Sequence, residues 1–178
     1  MAYQATTGTT LLFGGRDTGG VPLGDTWILD GGSWLPAASS GPAARVGHVL
    51  AQDPARGVTV LFGGRDAAGT LLGDTWEWDG LAWALVAAIG PSPREHAAVA
   101  HDDYRGITVL FGGADDAGAA LDDTWEWDGA GWTPAPVTTR PPARRDHAAA
   151  YDSTGGLIFL FGGRDTAGTA LGDTWEYR

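Results

Sequence analysis

Short apolar runs alternate with turn-forming residues along the whole chain. Val58–Phe62 is a continuous β-branched and aromatic run, the pattern of a strand buried on both faces. Residues 74–78 instead alternate polar and aromatic side chains, and Asp79-Gly80 follows as a hairpin signal. The 3.6-residue period of an amphipathic helix is absent from every window of useful length. The pattern therefore predicts an all-β protein.

The clearest stretch reads as four strands, which we predict at residues 48–52, 58–62, 74–78 and 82–86. Gly63 and Gly64 directly follow the second strand, and their backbone freedom predicts that they end it. Residues 65–73 are polar and read as a loop. The turn cluster before the second strand and the hairpin before the fourth make the four strands antiparallel neighbours.

This four-strand unit recurs through the sequence. Leu-Phe-Gly-Gly occurs four times, and its first glycines are 49, 49 and 50 residues apart. The doublets are Gly14-Gly15, Gly63-Gly64, Gly112-Gly113 and Gly162-Gly163. Tryptophans recur at the same spacing in two series. The first series is Trp27, Trp76, Trp125 and Trp175, and the second is Trp34, Trp83 and Trp132. Four-stranded antiparallel units at a spacing near 50 residues predict the blades of a β-propeller.

These markers resemble a known family. A hydrophobic run closed by Gly-Gly, an aromatic strand and then a single tryptophan resemble the kelch repeat, as in bacterial kelch proteins and the propeller domain of galactose oxidase. The resemblance implies a propeller of kelch-like four-stranded blades. We expect one domain over residues 1–178, with units at about 1–41, 42–90, 91–140 and 141–178, the last lacking its outer strand.

Composition narrows the classes of partner. The chain has 178 residues, and its 22 acidic and 11 basic residues give a net charge of −11. This charge opposes phosphate backbones and anionic lipid, so we expect neither nucleic acid nor a membrane as partner. The apolar runs are too short to span a bilayer, and Met1 is not followed by a signal-peptide pattern. The sequence does not indicate a cellular compartment.

An arginine follows each proline-rich connection, and histidines lie close behind it. The candidate ligand-binding residues at the mouth of the propeller channel are Arg45, Arg94, Arg144, Arg145, His48, His96 and His147. Converging guanidinium groups suit a carboxylate or another anion, and the kelch resemblance makes this region relevant to peptide binding. The alternative is structural, with each arginine paired to Glu77, Glu126 or Glu176 of a neighbouring unit. His101 is the most individual of the histidines.

The tryptophans and glycine doublets have a structural interpretation. A tryptophan repeated in every unit suits packing between blades better than a sugar site, which needs one unique aromatic residue. We expect Trp76 and Trp125 to be largely buried between blades. Carbohydrate binding through exposed tryptophans is the weaker alternative. The same structural role is expected for all the doublet glycines and repeated tryptophans named above.

Catalysis and metal binding find little support in the motifs. The acidic cluster of Asp115, Asp116, Asp122 and Asp123 is the best calcium candidate, but its spacing matches no established loop. Nucleophile, zinc-protease and phosphate-loop motifs are absent. The galactose oxidase resemblance would imply copper beside a tyrosine–cysteine crosslink, and the chain contains no cysteine. We therefore predict no enzyme, no metal and no cofactor.

The repeat number raises the question of assembly. Four kelch-like units must close alone or join another chain, because an open half-ring exposes two apolar faces. We predict a homodimer that forms one eight-bladed ring, with a four-bladed monomer as the alternative. The expected function is a non-catalytic binding or protein-interaction module that takes a peptide or a small anionic ligand. The alternative is a scaffold, or an excised or engineered propeller fragment, with no ligand of its own.

Overall fold

A computed structural model describes residues 1–38 and 40–178, which form seventeen strands. Sheet I contains β1 (Ala2–Gln4), β2 (Thr9–Arg16), β3 (Pro22–Asp30) and β4 (Ser33–Ala38). Sheet II contains β6 (Val49–Asp53), β7 (Val58–Phe62), β9 (Thr75–Trp78) and β10 (Trp83–Ala87). Sheet III contains β11 (Ala98–Asp102), β12 (Ile107–Phe111), β13 (Thr124–Trp127) and β14 (Trp132–Pro134). Sheet IV contains β15 (Ala148–Asp152), β16 (Leu157–Phe161) and β17 (Thr174–Tyr177).

Each sheet is an antiparallel meander in which strands adjacent along the chain pair with each other. The first strands of the four sheets, β1, β6, β11 and β15, lie side by side in this order and form the inner edge of the molecule. The all-β prediction is confirmed. Within residues 1–38 and 40–178, no helix is long and apolar enough to cross a membrane.

The structure adds one element that the hydrophobic pattern does not predict. Arg45–Val46 (β5) pairs with Arg65–Asp66 (β8), inside the segment that reads as a loop. This ribbon ties the connection that enters sheet II to the segment after its glycine doublet. In sheet I the doublet does not end the strand, because Gly15 still pairs with Leu23.

Two repeated apolar clusters join neighbouring sheets. Between sheets I and II, Leu11 and Phe13 pack with Leu61, Trp78 and Trp83. The corresponding cluster between sheets II and III consists of Val60, Phe62, Leu110, Trp127 and Trp132. In each cluster the outer-strand tryptophan of one sheet reaches the sheet before it, so the tryptophan is part of the interface between sheets.

Trp76 and Trp125 pack against these two clusters at their edge. Both are half-buried, whereas Trp78 and Trp127, two residues further along the same strands, are fully buried. The indole N–H of Trp76 donates to Asp74 at 2.7 Å, and that of Trp125 donates to Asp123 at the same distance. A polar partner at the end of the strand keeps these rings at the edge of the interface.

The glycine doublets have a conformation that other residues rarely adopt. All eight doublet glycines have φ between +60° and +107°. A Cβ atom at Gly63 would lie 2.6 Å from the carbonyl oxygen of Arg94, and one at Gly64 would lie 2.7 Å from that of Val46. Both positive φ and close backbone contact therefore require glycine at these turns.

Candidate functional site

The arginines that follow the proline-rich connections are buried. Arg45, Arg94 and Arg144 have at most 1% of their surface exposed. The guanidinium group of Arg94 donates to both carboxylate oxygens of Asp123, at 2.6 and 2.7 Å, and to the carbonyl oxygen of Gly112 at 2.9 Å. Arg45 and Arg144 make the same contacts with Asp74 and Gly63, and with Asp173 and Gly162.

These pairs differ from the expected structural alternative. The carboxylate belongs to the Asp-Thr-Trp motif of the same unit, and not to Glu77, Glu126 or Glu176 of a neighbour. Burial tends to raise the pKa of Asp123, but the hydrogen bonds and charge of Arg94 outweigh it and hold that pKa below its usual range. Ligand binding by the three arginines stays a prediction, and a ligand would have to compete with bidentate ion pairs.

Two of the candidate histidines pack against phenylalanine rings. The His48 ring lies 5.5 Å from that of Phe13, and His147 lies 5.5 Å from Phe111, both edge to face. Burial, reinforced by the positive charge of Arg45 or Arg144 respectively, lowers the pKa of each histidine to about 4. Both side chains are therefore neutral at pH 7.

We expect stability to fall as the pH drops from 6.5 towards 4. The unfolded chain protonates its histidines near pH 6.5, whereas folded His48 and His147 resist protonation down to about pH 4, so acid favours unfolding in this window. Urea unfolding at pH 7.5 and at pH 5 measures the difference in the free energy of unfolding between the two pH values. Sheet III already has an alanine, Ala97, at the position of these histidines. Replacing both His48 and His147 by alanine should therefore reduce the loss of stability between the two pH values. If the double variant loses as much stability between pH 7.5 and pH 5 as the wild type, the two buried histidines are not its cause.

The remaining two candidates, His96 and Arg145, lie closer to solvent at one end of the inner strands. His96 Nδ1 is 3.0 Å from a carboxylate oxygen of Asp146, and both residues have φ near +58°. The backbone N–H of His96 donates to Gly47, and that of Asp146 donates to His96, at 2.8 and 3.0 Å. This row of hydrogen bonds links the connections that enter sheets II, III and IV. Arg145 is half-buried next to it.

A wide groove runs along the other half of the inner strands. Its volume is about 540 Å³, within the range of ligand pockets, and all four inner strands contribute to it. The same register supplies Tyr3, Gln52, His101 and Tyr151, one residue from each sheet. His101 is the residue of this register that stands out in the sequence, but the sequence does not predict a groove. The sequence signal that could have indicated the groove is that this position differs between units that are otherwise similar.

His101 is the most buried polar side chain of this groove. Its Nδ1 lies 2.9 Å from the hydroxyl of Thr108, and its Nε2 lies 3.6 Å from a carboxylate oxygen of Asp53. Burial lowers the pKa of His101, although the Asp53 and Asp103 carboxylates oppose this effect. The groove therefore combines two tyrosines, an amide and an imidazole. The Gln52 amide oxygen accepts the N–H of Ala5 at 2.6 Å and the His101 ring bonds Thr108, so a polar ligand would have to compete with these contacts.

Three of the four acidic residues singled out as a calcium candidate have separate partners, and the fourth, Asp122, is exposed. Asp115 accepts backbone N–H bonds from Ala117 and Ala119, Asp116 pairs with Arg65, and Asp123 pairs with Arg94. Over the described part of the chain, no group of three or more His, Cys, Asp or Glu side chains is arranged to hold a metal ion.

Comparison with known proteins defines the class. The profile of a family described as the KLHDC2/KLHL20/DRC7 Kelch-repeats domain matches residues 1–178, so the chain belongs to the kelch-repeat family. The expected kelch resemblance and β-propeller fold are thereby confirmed. The comparison with curated protein sequences gives no match.

Solved structures agree on the fold. Among 148 matching chains is one described as "Structure of YjhT", with a TM-score of 0.68 and 16% sequence identity. The alignment covers 84% of this chain and 48% of that one, so the chain spans about half the length of this solved relative. At this identity the likeness concerns the fold alone.

Proposed function

We propose that this chain is a non-catalytic protein-interaction module that assembles with a second copy of itself into one eight-bladed ring. The observation that carries the proposal is a pair of open, mutually complementary apolar faces at the two ends of the row of sheets. The groove described above is the candidate site for the peptide or small anionic ligand that the sequence predicts.

The first open face belongs to sheet I. Trp34 is 43% exposed, whereas Trp83 and Trp132 at the same register are each 9% exposed. Leu12, Trp27 and Leu29 share this face with Trp34 and are only partly covered. The equivalent side chains of sheets II and III pack against a preceding sheet. The sheet I face therefore lacks the neighbour that the other two sheets have.

The second open face belongs to sheet IV. Phe161 is 58% exposed, whereas Phe13, Phe62 and Phe111 at its register are buried against a following sheet. Thr174, at the register of the buried Thr26 and Thr75, is also exposed. Exposed apolar surface of this kind is a typical interaction site in soluble proteins.

The two internal junctions provide the template for joining these faces. The indole N–H of Trp83 donates to Thr26 at 2.9 Å, and that of Trp132 donates to Thr75 at 2.8 Å. By the same rule, Trp34 of one copy donates to Thr174 of the other and packs on Phe161 of that copy. Two such junctions related by a two-fold axis close the ring and bury both pairs of faces.

The groove favours a binding role over a scaffold without a ligand. The inner strands repeat small apolar residues at most positions, yet Tyr3, Gln52, His101 and Tyr151 differ at the register that lines the groove. Packing alone does not require such variation. The repeated carboxylates, by contrast, are engaged in ion pairs within their own sheets, which supports the absence of a catalytic role.

Light scattering coupled to size exclusion tests the assembly. We expect the wild-type chain at twice its 18.4 kDa, and Trp34→Arg and Phe161→Arg each at the mass of one chain. Leu81→Arg, an exposed position on a hairpin turn away from both faces, is the matched control and should remain paired.

Mixing the two variants sharpens the test. Each variant keeps one intact face, so the mixture regains a single junction and pairs more weakly than wild type. A wild-type chain that stays at 18.4 kDa at high concentration contradicts the proposed ring, as does a Leu81→Arg control that dissociates equally.

A further inference from the structure

The hairpin between the two outer strands has the same dipeptide in sheets I, II and III. The dipeptides are Asp30-Gly31, Asp79-Gly80 and Asp128-Gly129, and all three aspartates are exposed. A glycine that follows an aspartate leaves its nitrogen sterically open, because it has no Cβ atom beside the aspartate side chain. The nitrogen can attack the side-chain carboxyl group, so each of the three hairpins is a candidate site for this reaction.

In sheets II and III the aspartate side chain is bound by its own turn. Asp79 Oδ1 accepts the backbone N–H groups of Leu81 and Ala82, both at 2.8 Å. Asp128 makes the equivalent pair of bonds, at 2.8 and 2.9 Å. These hydrogen bonds hold the pKa of both carboxyl groups below the usual range. An ionised carboxylate offers a nitrogen no leaving group, so both side chains are protected.

The hairpin of sheet I has a different course. Asp30 pairs with Ser33 across β3 and β4, so that Gly31 and Gly32 alone form the loop. Both glycines have positive φ, at +53° and +88°, whereas Leu81 at the second loop position of sheet II does not. Two left-handed residues in succession change the direction of the loop N–H groups. In the described part of the chain, the two bonds of the other turns have no counterpart at Asp30.

The space around the loops adds to this difference. A Cβ atom at Gly31 or Gly32 would meet nothing within 4 Å, so the sheet I loop has room to rearrange. At Gly129 the same atom would lie 2.9 Å from the guanidinium carbon of Arg56, which covers that loop. Both the hydrogen bonds and the packing therefore single out Asp30.

We propose that Asp30 is a site of spontaneous isomerisation to isoaspartate, from which Asp79 and Asp128 are protected by their turns. The Gly31 nitrogen attacks Cγ of the neutral Asp30 carboxyl group, an N–Cγ bond forms, and the amide proton leaves with the acid hydroxyl as water. Water then adds to the main-chain carbonyl carbon of the resulting succinimide, and the bond from that carbon to the nitrogen breaks.

The product contains the same atoms as aspartate but a different main chain. The chain now runs through Cγ and is one methylene longer, and the former main-chain carbonyl is a free carboxylate. The added methylene lies where β3 pairs with β4. The reaction needs no partner and is independent of the assembly of two copies and of any ligand.

Peptide mapping of the aged protein tests the site. The folded full chain is incubated at pH 7.5 and cleaved after arginine, which places Asp30, Asp79 and Asp128 in three different peptides. Electron-transfer fragmentation locates isoaspartate, and an isoaspartyl methyltransferase with labelled S-adenosylmethionine counts it. We expect isoaspartate to accumulate several-fold faster at Asp30 than at either of the other two sites.

Exchanging the second loop residue between two sheets supplies matched variants. Gly32→Leu gives sheet I the loop sequence of sheet II and should slow the reaction at Asp30 several-fold. Leu81→Gly makes the reverse change and should accelerate the reaction at Asp79. Leu81 is 84% exposed, so its replacement should leave the unfolding midpoint unaltered and keeps the test valid whatever the stability of Gly32→Leu.

Incubation in urea separates the effect of the fold from that of the dipeptide. Unfolding removes the protecting hydrogen bonds, so all three aspartates should then isomerise at similar rates. Equal rates at the three sites in the folded chain overturn the proposal, as does an unchanged rate at Asp79 in Leu81→Gly. Isoaspartate that forms at Asp30 in urea but not in the folded chain also overturns it.

Discussion

Replacing Asp123 by alanine is expected to lower the free energy of unfolding by about 3–5 kcal/mol, because it leaves a buried guanidinium group without its counter-charge. Arg94 has 1% of its side chain exposed, and Asp123 accepts two of its hydrogen bonds. The remaining acceptors, the carbonyl oxygens of Gly112 and Ser92 and the Ser92 hydroxyl, carry no charge to balance the arginine.

Asp116→Ala is the matched control for this loss. Asp116 also pairs with an arginine, at 3.0 Å, but it is 80% exposed and its partner Arg65 is 25% exposed. Solvent screens such a pair, so its removal should cost less than about 1 kcal/mol. Urea unfolding at pH 7.5 measures both variants. Similar small losses for the two would show that burial of Arg94 does not give its ion pair a special role.

Replacing Gly63 by alanine is expected to cost about 3 kcal/mol or more, of which only part comes from backbone conformation. Gly63 has φ +70°, and a Cβ atom there would lie 2.6 Å from the carbonyl oxygen of Arg94. That oxygen accepts the N–H of Gly64 at 2.8 Å, so moving it away also breaks a hydrogen bond.

Gly57 separates the two contributions. Its φ is +68°, almost that of Gly63, but a Cβ atom there would meet nothing within 4 Å. Gly57→Ala should therefore cost about 1–2 kcal/mol, the conformational part alone. Chemical denaturation of both variants gives the difference. Equal losses would show that the contact with Arg94 contributes nothing and that φ alone explains the glycine.

Local pattern predicts most strands of this chain. The continuous apolar run gives Val58–Phe62 with the bounds that the structure has, and the alternating run gives Thr75–Trp78 to within one residue. Both signals arise from neighbouring side chains on one strand and need no knowledge of the rest of the fold. The pattern does not predict the two-residue ribbon of β5 and β8, because so short a strand has no measurable period.

The partners of the repeated arginines follow from geometry that spacing does not reveal. Arg94 and Asp123 are 29 residues apart, and Glu126 stands only three residues further along the same segment. Both carboxylates are equal candidates on sequence grounds. The orientation of β13 and of the connection before it decides that Asp123 meets the guanidinium group.

The groove likewise depends on the tertiary arrangement. Tyr3, Gln52, His101 and Tyr151 come together only because the four inner strands lie side by side. The groove corresponds to no contiguous motif in the sequence.

The sequence by itself determined the repeat, the all-β architecture and the glycines that its turns require. Only the tertiary structure decided which copies of a repeated residue are covered. Leu-Phe-Gly-Gly is identical in four units, yet Phe62 is 2% exposed and Phe161 is 58% exposed. The physical reason is that a local sequence fixes the direction of a side chain on its strand, whereas its burial requires a second sheet to pack against it.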